Sequence, residues 1–221
     1  MSIPFILQAI YQETHSKKCL LGSAWRMESR VKTYSEIISK WFNSRNSFQP
    51  VRLLDIGGRD GTFLEQLTIP CSTTVLDIDS MALLQYRMKF RSGIALLADC
   101  NDNLPIDSCS YDIVMAGEFI EHILSPDSFL SEICRVIKDG GLFVGSTPNA
   151  FRWDKRIRLF FGYDPKIFSD TTHTQYFSYD SLTALLNKNF PRVRIYIHPR
   201  NILAKCFPKL FADGFIWEIQ K

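Results

Sequence analysis

The chain has 221 residues, of which 46% are hydrophobic and 22% charged, a composition that suits one α/β unit and excludes a disordered or fibrous protein. Its net charge of +3 is too small to indicate nucleic-acid binding. The six cysteines form no C-x-x-C pair, which argues against a zinc ribbon and favours a reducing, cytoplasmic compartment. We expect no signal peptide and no membrane span, because the first residues lack a basic region and no long apolar stretch follows.

Helical and strand-like segments alternate along the chain. Residues 1–48 predict a polar, amphipathic helical cap, followed by a turn-rich stretch. Beyond it, short apolar runs are typical of parallel strands buried on both faces. Five such strands are predicted at 51–56, 73–78, 94–98, 111–116 and 142–146. Helices are expected to begin at Gly61 and at Ser80.

The second half of the chain continues the alternation. Ser125 and Pro126 can begin a helix, and a left-handed glycine at 140–141 is expected to end it. Its apolar residues recur on one helical face, at Phe129, Ile133, Val136 and Ile137. Ser178 can cap a last helix, and closing strands are predicted at 193–198 and 215–219. The pattern predicts a mostly parallel, seven-stranded sheet with helices on both faces.

Acidic residues follow three predicted strands at near-equal spacing. Asp55 and Asp77 end the first and second strands, and Asp99 follows the third. In an open parallel sheet, ligands bind at the edge where the carboxyl ends of the strands meet. A carboxylate after the second strand can accept two hydrogen bonds from a ribose diol, and Asp99 can accept one from an adenine amine. Glycines after the first strand let the backbone approach such a ligand closely.

The stretch from Leu53 to Asn149 resembles the class I S-adenosylmethionine-dependent methyltransferases, in particular methyltransferase domains of types 11 and 23. The first motif of that family is similar to LLDIGGRDG in this sequence, and the segment of its ribose-binding acid to VLDID. Its adenine loop and fourth strand resemble LLADCNDNLPIDSCSYDIVMAGEFIEHI. The helix and strand that follow resemble FLSEICRVIKDGGLFVGSTPN, and a later segment resembles HTQYFSYDSLTALL.

The resemblance implies a Rossmann-like fold, S-adenosyl-L-methionine as cofactor and a set of residues that bind it. Gly57 and Gly61 would flank the methionine moiety, Asp77 would hold the ribose, and Asp99 with the Cys100 backbone would meet adenine. The full set is Asp55, Gly57, Gly58, Gly61, Asp77, Ile78, Asp99, Cys100 and Gly117.

Arg59 departs from the family pattern, because it replaces the usual middle glycine of the first motif. Its side chain either crowds the cofactor or points away from it. The same position separates the chain from the nicotinamide dehydrogenases. Their G-x-G-x-x-G is absent, since Arg59 and Thr62 stand where its second and third glycines would be.

A cluster of candidate catalytic residues, E-x-x-E-H, follows the fourth strand. On a helical turn Glu118 and His122 would share one face. This pattern resembles the ubiquinone-pathway O-methyltransferases and the small-RNA 2′-O-methyltransferases, whose metal ligands include a later histidine. The resemblance implies a divalent cation (Mg, Mn or Zn) at Glu118, Glu121, His122 and His173. His122 acting with Glu121 as a general base, and a structural role, remain alternatives.

Residues 150–170 contain an apolar stripe with basic neighbours. Trp153, Ile157, Phe160 and Phe161 recur at helical spacing, among four lysines and arginines. One interpretation is a lid or docking helix for an anionic acceptor or a membrane surface. The other is a helix that packs its apolar side on the core and exposes its basic side.

These observations predict a single methyltransferase domain over residues 1–221. Its parts would be a helical cap (1–48), a cofactor-binding core (49–149), a lid or substrate insertion (150–175) and the rest of the core (176–221). We expect O-methylation of a small-molecule or saccharide hydroxyl, so the partner is a small-molecule or glycan acceptor. A nucleic-acid partner is not expected, and peripheral membrane contact stays open. The alternatives are an RNA 2′-O-methyltransferase and a non-catalytic partner protein with the same fold.

Overall fold

The computed structural model describes residues 24–45, 49–198 and 202–221. Seven strands form its sheet: β1 (Val51–Ile56), β2 (Cys71–Asp77), β3 (Ile94–Leu97), β4 (Tyr111–Gly117), β5 (Ile137–Pro148), β6 (Val193–His198) and β7 (Gly214–Gln220). Their order is β3-β2-β1-β4-β5-β7-β6. The first five strands are parallel, and β7 runs antiparallel to both β5 and β6. The predicted mostly parallel, seven-stranded sheet is confirmed.

Helices cover both faces of this sheet. They are α1 (Ala24–Asn43), α2 (Ser80–Lys89), α3 (Pro126–Val136), α4 (Trp153–Phe160), α5 (Tyr179–Asn189), α6 (Ile202–Cys206) and α7 (Pro208–Phe211). Short 3-10 helices occur at Leu64–Gln66, Ile120–His122 and Lys166–Ser169.

Adjacent strand residues pack into two separate apolar clusters, because side chains alternate between the faces of a sheet. Leu53 of β1 packs in a cluster with Ile38 of α1 and Leu83 of α2. Its neighbour Leu54 packs on the opposite face with Leu130 of α3 and Leu182 of α5. The expectation of helices on both faces is therefore confirmed.

Helix α1 confirms part of the predicted N-terminal cap. Its buried stripe, at Tyr34, Ile37, Ile38 and Trp41, recurs at helical spacing and packs on the sheet. Residues 1–23 and 46–48 of the predicted cap lie outside the described residues, as does Cys19. The other five cysteines are free thiols. Within the described ranges, no helix has the length and apolarity that crossing a bilayer requires.

Two predicted helix boundaries are wrong. The helix expected from Gly61 is reduced to the 3-10 turn Leu64–Gln66, because Gly61 has a φ of +72° and cannot start an α-helix. Helix α3 ends at Val136, and Ile137 begins β5 opposite Tyr111. The glycine expected to end that helix, Gly140, is left-handed at φ +74° but lies inside β5.

One of the two predicted helix caps forms a capping hydrogen bond, and the other does not. Ser178 caps α5, since its side chain accepts a hydrogen bond from the Ser181 backbone N–H. Ser125 occupies the cap position of α3, but its hydroxyl contacts the Ser128 hydroxyl at 2.9 Å and bonds no backbone N–H.

The apolar side of helix α4 does not pack on the core. No residue of α4 is buried, and Phe160 is 84% exposed. The interpretation that this helix covers the core with its apolar stripe is therefore wrong. Lysine and arginine side chains at its start face the protein instead: Lys155 donates to the Asn149 carbonyl, and Arg152 pairs with Asp213.

Candidate active site

A cleft of about 730 Å³ lies at the carboxyl ends of the central strands. Ligands of open parallel sheets bind there, beside the point where the strand order reverses. The volume is typical of small-molecule sites. All but one of the predicted cofactor-binding residues line the cleft: Asp55, Gly57, Gly58, Asp77, Ile78, Asp99, Cys100 and Gly117. The exception is Gly61, which packs against the Tyr86 ring of α2.

The loop after β1 requires glycine at two positions. Gly57 has a φ of +71°, and an added Cβ would lie 2.3 Å from the Phe119 ring. At Gly58 an added Cβ would lie 2.5 Å from the carboxylate oxygen Oδ2 of Asp55. Neither position accepts a side chain without displacement of its neighbours, so the backbone itself forms this wall of the cleft.

Arg59 keeps the backbone conformation that a glycine would adopt. Its φ is +52°, a left-handed conformation that costs a non-glycine residue about 1–2 kcal/mol. In this conformation its backbone N–H donates to Asp77 Oδ2 at 3.0 Å. An arginine in place of the family's usual glycine thus keeps the backbone conformation of the loop. Arg59 itself lines the cleft.

Asp77 is buried at the end of β2 and is held by two backbone donors. Besides Arg59, the Asp79 N–H donates to its Oδ1 at 2.8 Å. Burial raises the pKa of Asp77, and these two backbone hydrogen bonds oppose that rise. Each carboxylate oxygen has a second lone pair, so both can still accept from a diol. Asp79 has another role, because it caps α2 by accepting from the Met81 and Ala82 N–H groups.

Asp55 is a buried carboxyl group that borders the cleft. Burial and the nearby Asp77 carboxylate raise the pKa of Asp55 to about 8. Within the described part of the chain, its Oδ2 is buried and makes no hydrogen bond. A cationic or hydrogen-bond-donating ligand group would therefore relieve an unfavourable burial here.

The predicted adenine-binding residues follow β3. The Asp99 side chain accepts from the backbone N–H and the side-chain amide of Asn101, both at 2.9 Å. Cys100 is buried beside it, and burial raises the pKa of its thiol. Both residues line the cleft, and their contact with adenine stays a prediction.

Glu118 does not join the predicted four-residue metal site. It has a left-handed φ of +52° and lies before the 3-10 helix, so it does not share a helical face with His122. Its Oε1 instead lies 2.9 Å from Nη1 of Arg30 and accepts from the Ser146 hydroxyl at 3.0 Å. Placing Glu118 in that site was therefore wrong.

The other three predicted ligands come together. One ligand atom each of Glu121, His122 and His173 lies within 4.8 Å of the others. Glu121 is buried and accepts from the Thr147 hydroxyl at 3.0 Å. Burial and the Glu118 carboxylate raise the pKa of Glu121 well above its usual range.

The chain segment that carries His173 is fixed to the Glu121 backbone. The Thr174 and Gln175 N–H groups donate to the Glu121 carbonyl, at 2.9 and 3.0 Å. The His122 ring contacts the Thr172 carbonyl through Nδ1 at 2.9 Å. These contacts hold the two imidazole rings edge to face, with centroids 4.8 Å apart.

Helix α1 supplies residues that the sequence interpretation did not assign to the site. Arg30 and Tyr34 line the cleft from above β4, and Tyr34 is buried. An added Cβ at Gly117 would lie 3.4 Å from the Tyr34 hydroxyl. The sequence held one signal for Arg30: it lies one helical turn before Tyr34, the first residue of the apolar stripe of α1.

A family model described as a methyltransferase domain matches residues 27–189. The chain belongs to this methyltransferase family. The cleft that the strand ends form contains all but one of the residues predicted to bind S-adenosylmethionine, and their contact with that cofactor stays a prediction.

Two relatives illustrate the similarity of this methyltransferase to known proteins. A probable S-adenosylmethionine-dependent methyltransferase of Mycobacterium tuberculosis is 32% identical over 111 residues, which is 50% of this chain and 37% of that protein. A ubiquinone biosynthesis O-methyltransferase of Thiobacillus denitrificans is 26% identical over 133 residues, 57% of each chain. The matches thus span less than two thirds of either relative.

Solved structures share the fold of this methyltransferase at low identity. A SAM-dependent methyltransferase from Archaeoglobus fulgidus aligns with a TM-score of 0.62 and 19% identity, over 89% of this chain and 98% of its own. The CurJ carbon methyltransferase aligns at 0.65 and 15% identity, over 86% and 53%. Both similarities concern the fold alone.

Proposed function

We propose that this methyltransferase transfers its methyl group to a hydroxyl of a small-molecule or saccharide acceptor. The observation that supports the proposal is the cluster of Glu121, His122 and His173, which borders the cofactor cleft. Methyl transfer is an in-line displacement that requires alignment of the acceptor. A neutral hydroxyl is a weak nucleophile, so its proton must be taken up as the oxygen attacks. A carboxyl group and two imidazoles are suitable groups for that task.

The first arrangement of this cluster holds a divalent cation. The donor set fits one, because three protein ligands leave a position for the acceptor oxygen. Two nitrogen donors favour zinc or manganese over magnesium. The Thr172 carbonyl at His122 and the Thr147 hydroxyl at Glu121 match the outer partners that orient metal ligands. When bound, the cation would lower the pKa of the acceptor hydroxyl.

In the second arrangement, His122 acts as the general base without a cation. If Nδ1 carries the ring proton, it donates a hydrogen bond to the Thr172 carbonyl. The basic lone pair is then on Nε2. Glu121, whose pKa is raised by burial, would donate or accept a hydrogen bond beside the ring. The proton of the hydroxyl would then move to His122 Nε2 as the new C–O bond forms and the bond between the methyl carbon and the sulfonium sulfur breaks, leaving S-adenosylhomocysteine.

The two alternatives are less well supported. The RNA 2′-O-methyltransferase alternative shares the Glu121, His122 and His173 cluster, and the net charge of +3 argues against it. The non-catalytic interpretation relied on Arg59, which leaves the glycine-like backbone of the first loop intact. Calorimetric titration with S-adenosylmethionine tests this last alternative, which predicts no binding.

An acceptor screen tests the proposal directly. Phenols, sugars and amines of matched size are incubated with S-adenosylmethionine, and mass spectrometry detects added methyl groups. We expect methylation of hydroxyls, and transfer to amines alone would refute the proposal. His122→Ala and Glu121→Ala should each lower transfer by about 100-fold or more while cofactor binding survives. His198→Asn is the control, because His198 lines the cleft but is absent from the cluster.

Metal removal distinguishes the two arrangements. In the first, a chelator abolishes transfer and added zinc or manganese restores it, whereas S-adenosylmethionine still binds. In the second, transfer is unchanged in chelator. Calorimetry with zinc alone provides a readout that does not depend on activity, because Glu121→Gln and His173→Ala should each remove zinc binding in the first arrangement.

A further inference from the structure

Helix α4 and the residues after it expose a large apolar surface. Ile157 is 48% exposed, Phe160 84% and Phe161 67%. With Trp153 they recur at helical spacing on one side of the helix. An aromatic and aliphatic stripe of this kind is costly in water unless another surface covers it.

Positive charges border this stripe. Arg156 and Arg158 are exposed and lie on either side of it along the helix, and the exposed Lys166 follows. Of the acidic residues in the segment, Asp154 is paired with Arg152 at 2.6 Å, while Asp164 is exposed. The face is therefore apolar at its centre and predominantly basic at its margins.

A second exposed apolar patch lies on α6 and on Phe207, which joins α6 to α7. Ile202 is 78% exposed, Leu203 56% and Phe207 58%, with the exposed Lys205 among them. Contacts join the residues after α7 to the base of α4. Arg152 pairs with Asp213 just beyond α7, and the Asn149 amide donates to the Ala212 carbonyl at 3.0 Å.

The segments that carry the two patches join the wall of the cleft at their ends. Pro148 and Asp170, which line the cleft, stand at the two ends of the segment that carries α4. Asp213 and Gly214, directly after α7, line it as well. No residue from 150 to 169 lines the cleft, so α4 does not act as a closed lid here.

We propose that the exposed faces of α4 and of α6–α7 bind the surface of an anionic lipid bilayer. The bilayer interior would take up the aromatic stripe, and the flanking arginines and lysines would meet lipid phosphates. A second copy of the chain fits less well, because a symmetric contact would bring the basic margins of two copies together. The acceptor is then an amphiphile whose hydroxyl headgroup reaches the cleft from the membrane, a substrate class that rests on the proposed function.

Vesicle sedimentation tests the docking surface. Vesicles of phosphatidylcholine alone are compared with vesicles of equal parts phosphatidylcholine and phosphatidylglycerol. We expect binding to the anionic vesicles that weakens with added salt. Phe160→Ser with Phe161→Ser should weaken it by at least tenfold, and Arg158→Gln by roughly fivefold. Met88→Ser is the matched control, because Met88 is 73% exposed on α2 and should not change binding.

Several results would overturn the docking proposal. These are absence of binding to anionic vesicles, retention of binding in the double variant, or a lipid-free oligomer that the double variant converts to monomer. A Trp153→Ala variant with a raised KM for a water-soluble acceptor, measured without vesicles, would also overturn it in favour of a lid.

Failure of docking and failure of the proposed function are distinguishable. S-adenosylmethionine binding and transfer to water-soluble hydroxyls do not require vesicles, so they should survive in the double variant. Absence of vesicle binding by the wild-type protein, with these activities intact, refutes docking alone. Vesicle binding without transfer to any hydroxyl refutes the proposed function alone.

Discussion

Arg30 of α1 forms an ion pair with Glu118 at the end of β4, with Nη1 2.9 Å from Oε1. Burial lowers the pKa of the Arg30 guanidinium, but Glu118, Tyr34 and Glu121 together outweigh this effect and the net pKa is raised. The pair borders the same cleft as Asp55. The Arg30 guanidinium and the Asp55 carboxyl group thus line the same cleft. The methionine portion of S-adenosylmethionine carries one carboxylate and one ammonium group, so it has a charge of each sign.

We expect Arg30 to bind the carboxylate of the cofactor's methionine portion. Arg30→Met should weaken S-adenosylmethionine binding by about tenfold or more, since a hydrogen bond to a charged group contributes about 1.5–3 kcal/mol. Binding of 5′-methylthioadenosine, which has no carboxylate, should change little. Calorimetry with both ligands measures the difference, and Lys32→Met is the control, because Lys32 is exposed on the same helix and does not line the cleft. An equal loss for both ligands would mean that Arg30 only shapes the cleft.

Asp77 is expected to hold the cofactor ribose. Asp77→Ala should weaken S-adenosylmethionine binding by roughly 30-fold or more, because two hydrogen bonds to a carboxylate are lost. Asp60→Asn is the control, since Asp60 also lines the cleft but pairs with Lys89 at 2.7 Å. Unchanged cofactor affinity in folded Asp77→Ala protein would show that the ribose binds elsewhere.

Asp55 should make the stability of the cofactor-free protein depend on pH. Its pKa is about 8 in the folded protein and about 3.9 in an unfolded chain. The folded state therefore binds the proton more tightly, and this group lowers stability as pH rises from about 4 to about 8. Asp55→Asn stays neutral, so its free energy of unfolding should exceed that of the wild type by a margin that grows over this window. Urea denaturation at several pH values across this window measures that margin.

Many of the strands could be predicted from the sequence because strands buried on both faces are continuously apolar. The predicted bounds of β1 and β6 match the structure, and the Asp55, Asp77 and Asp99 positions meet at one edge. Sheet order could not be predicted in the same way. The pairing of β7 between β5 and β6 depends on contacts far apart in the chain.

The candidate site was predictable where one short motif supplies neighbouring residues. Glu121 and His122 fall on one 3-10 turn, and His173 reaches them through backbone contacts at Glu121. Glu118 was misplaced because helical spacing was assumed, whereas its φ of +52° breaks that spacing. The pairing of Arg30 with Glu118 joins residues far apart in sequence, so no local pattern indicates it.

Among the described residues, strand β6 is attached to the sheet only through β7. β6 lies at the end of the sheet order and pairs with β7, so a frameshift or nonsense codon ahead of Gly214 would detach both strands. His198 at the end of β6 and Gly214 at the start of β7 would leave the cleft wall at the same time. During synthesis, β6 emerges from the ribosome before its sheet partner exists. Strand β6 therefore cannot join this sheet until β7 has been synthesised.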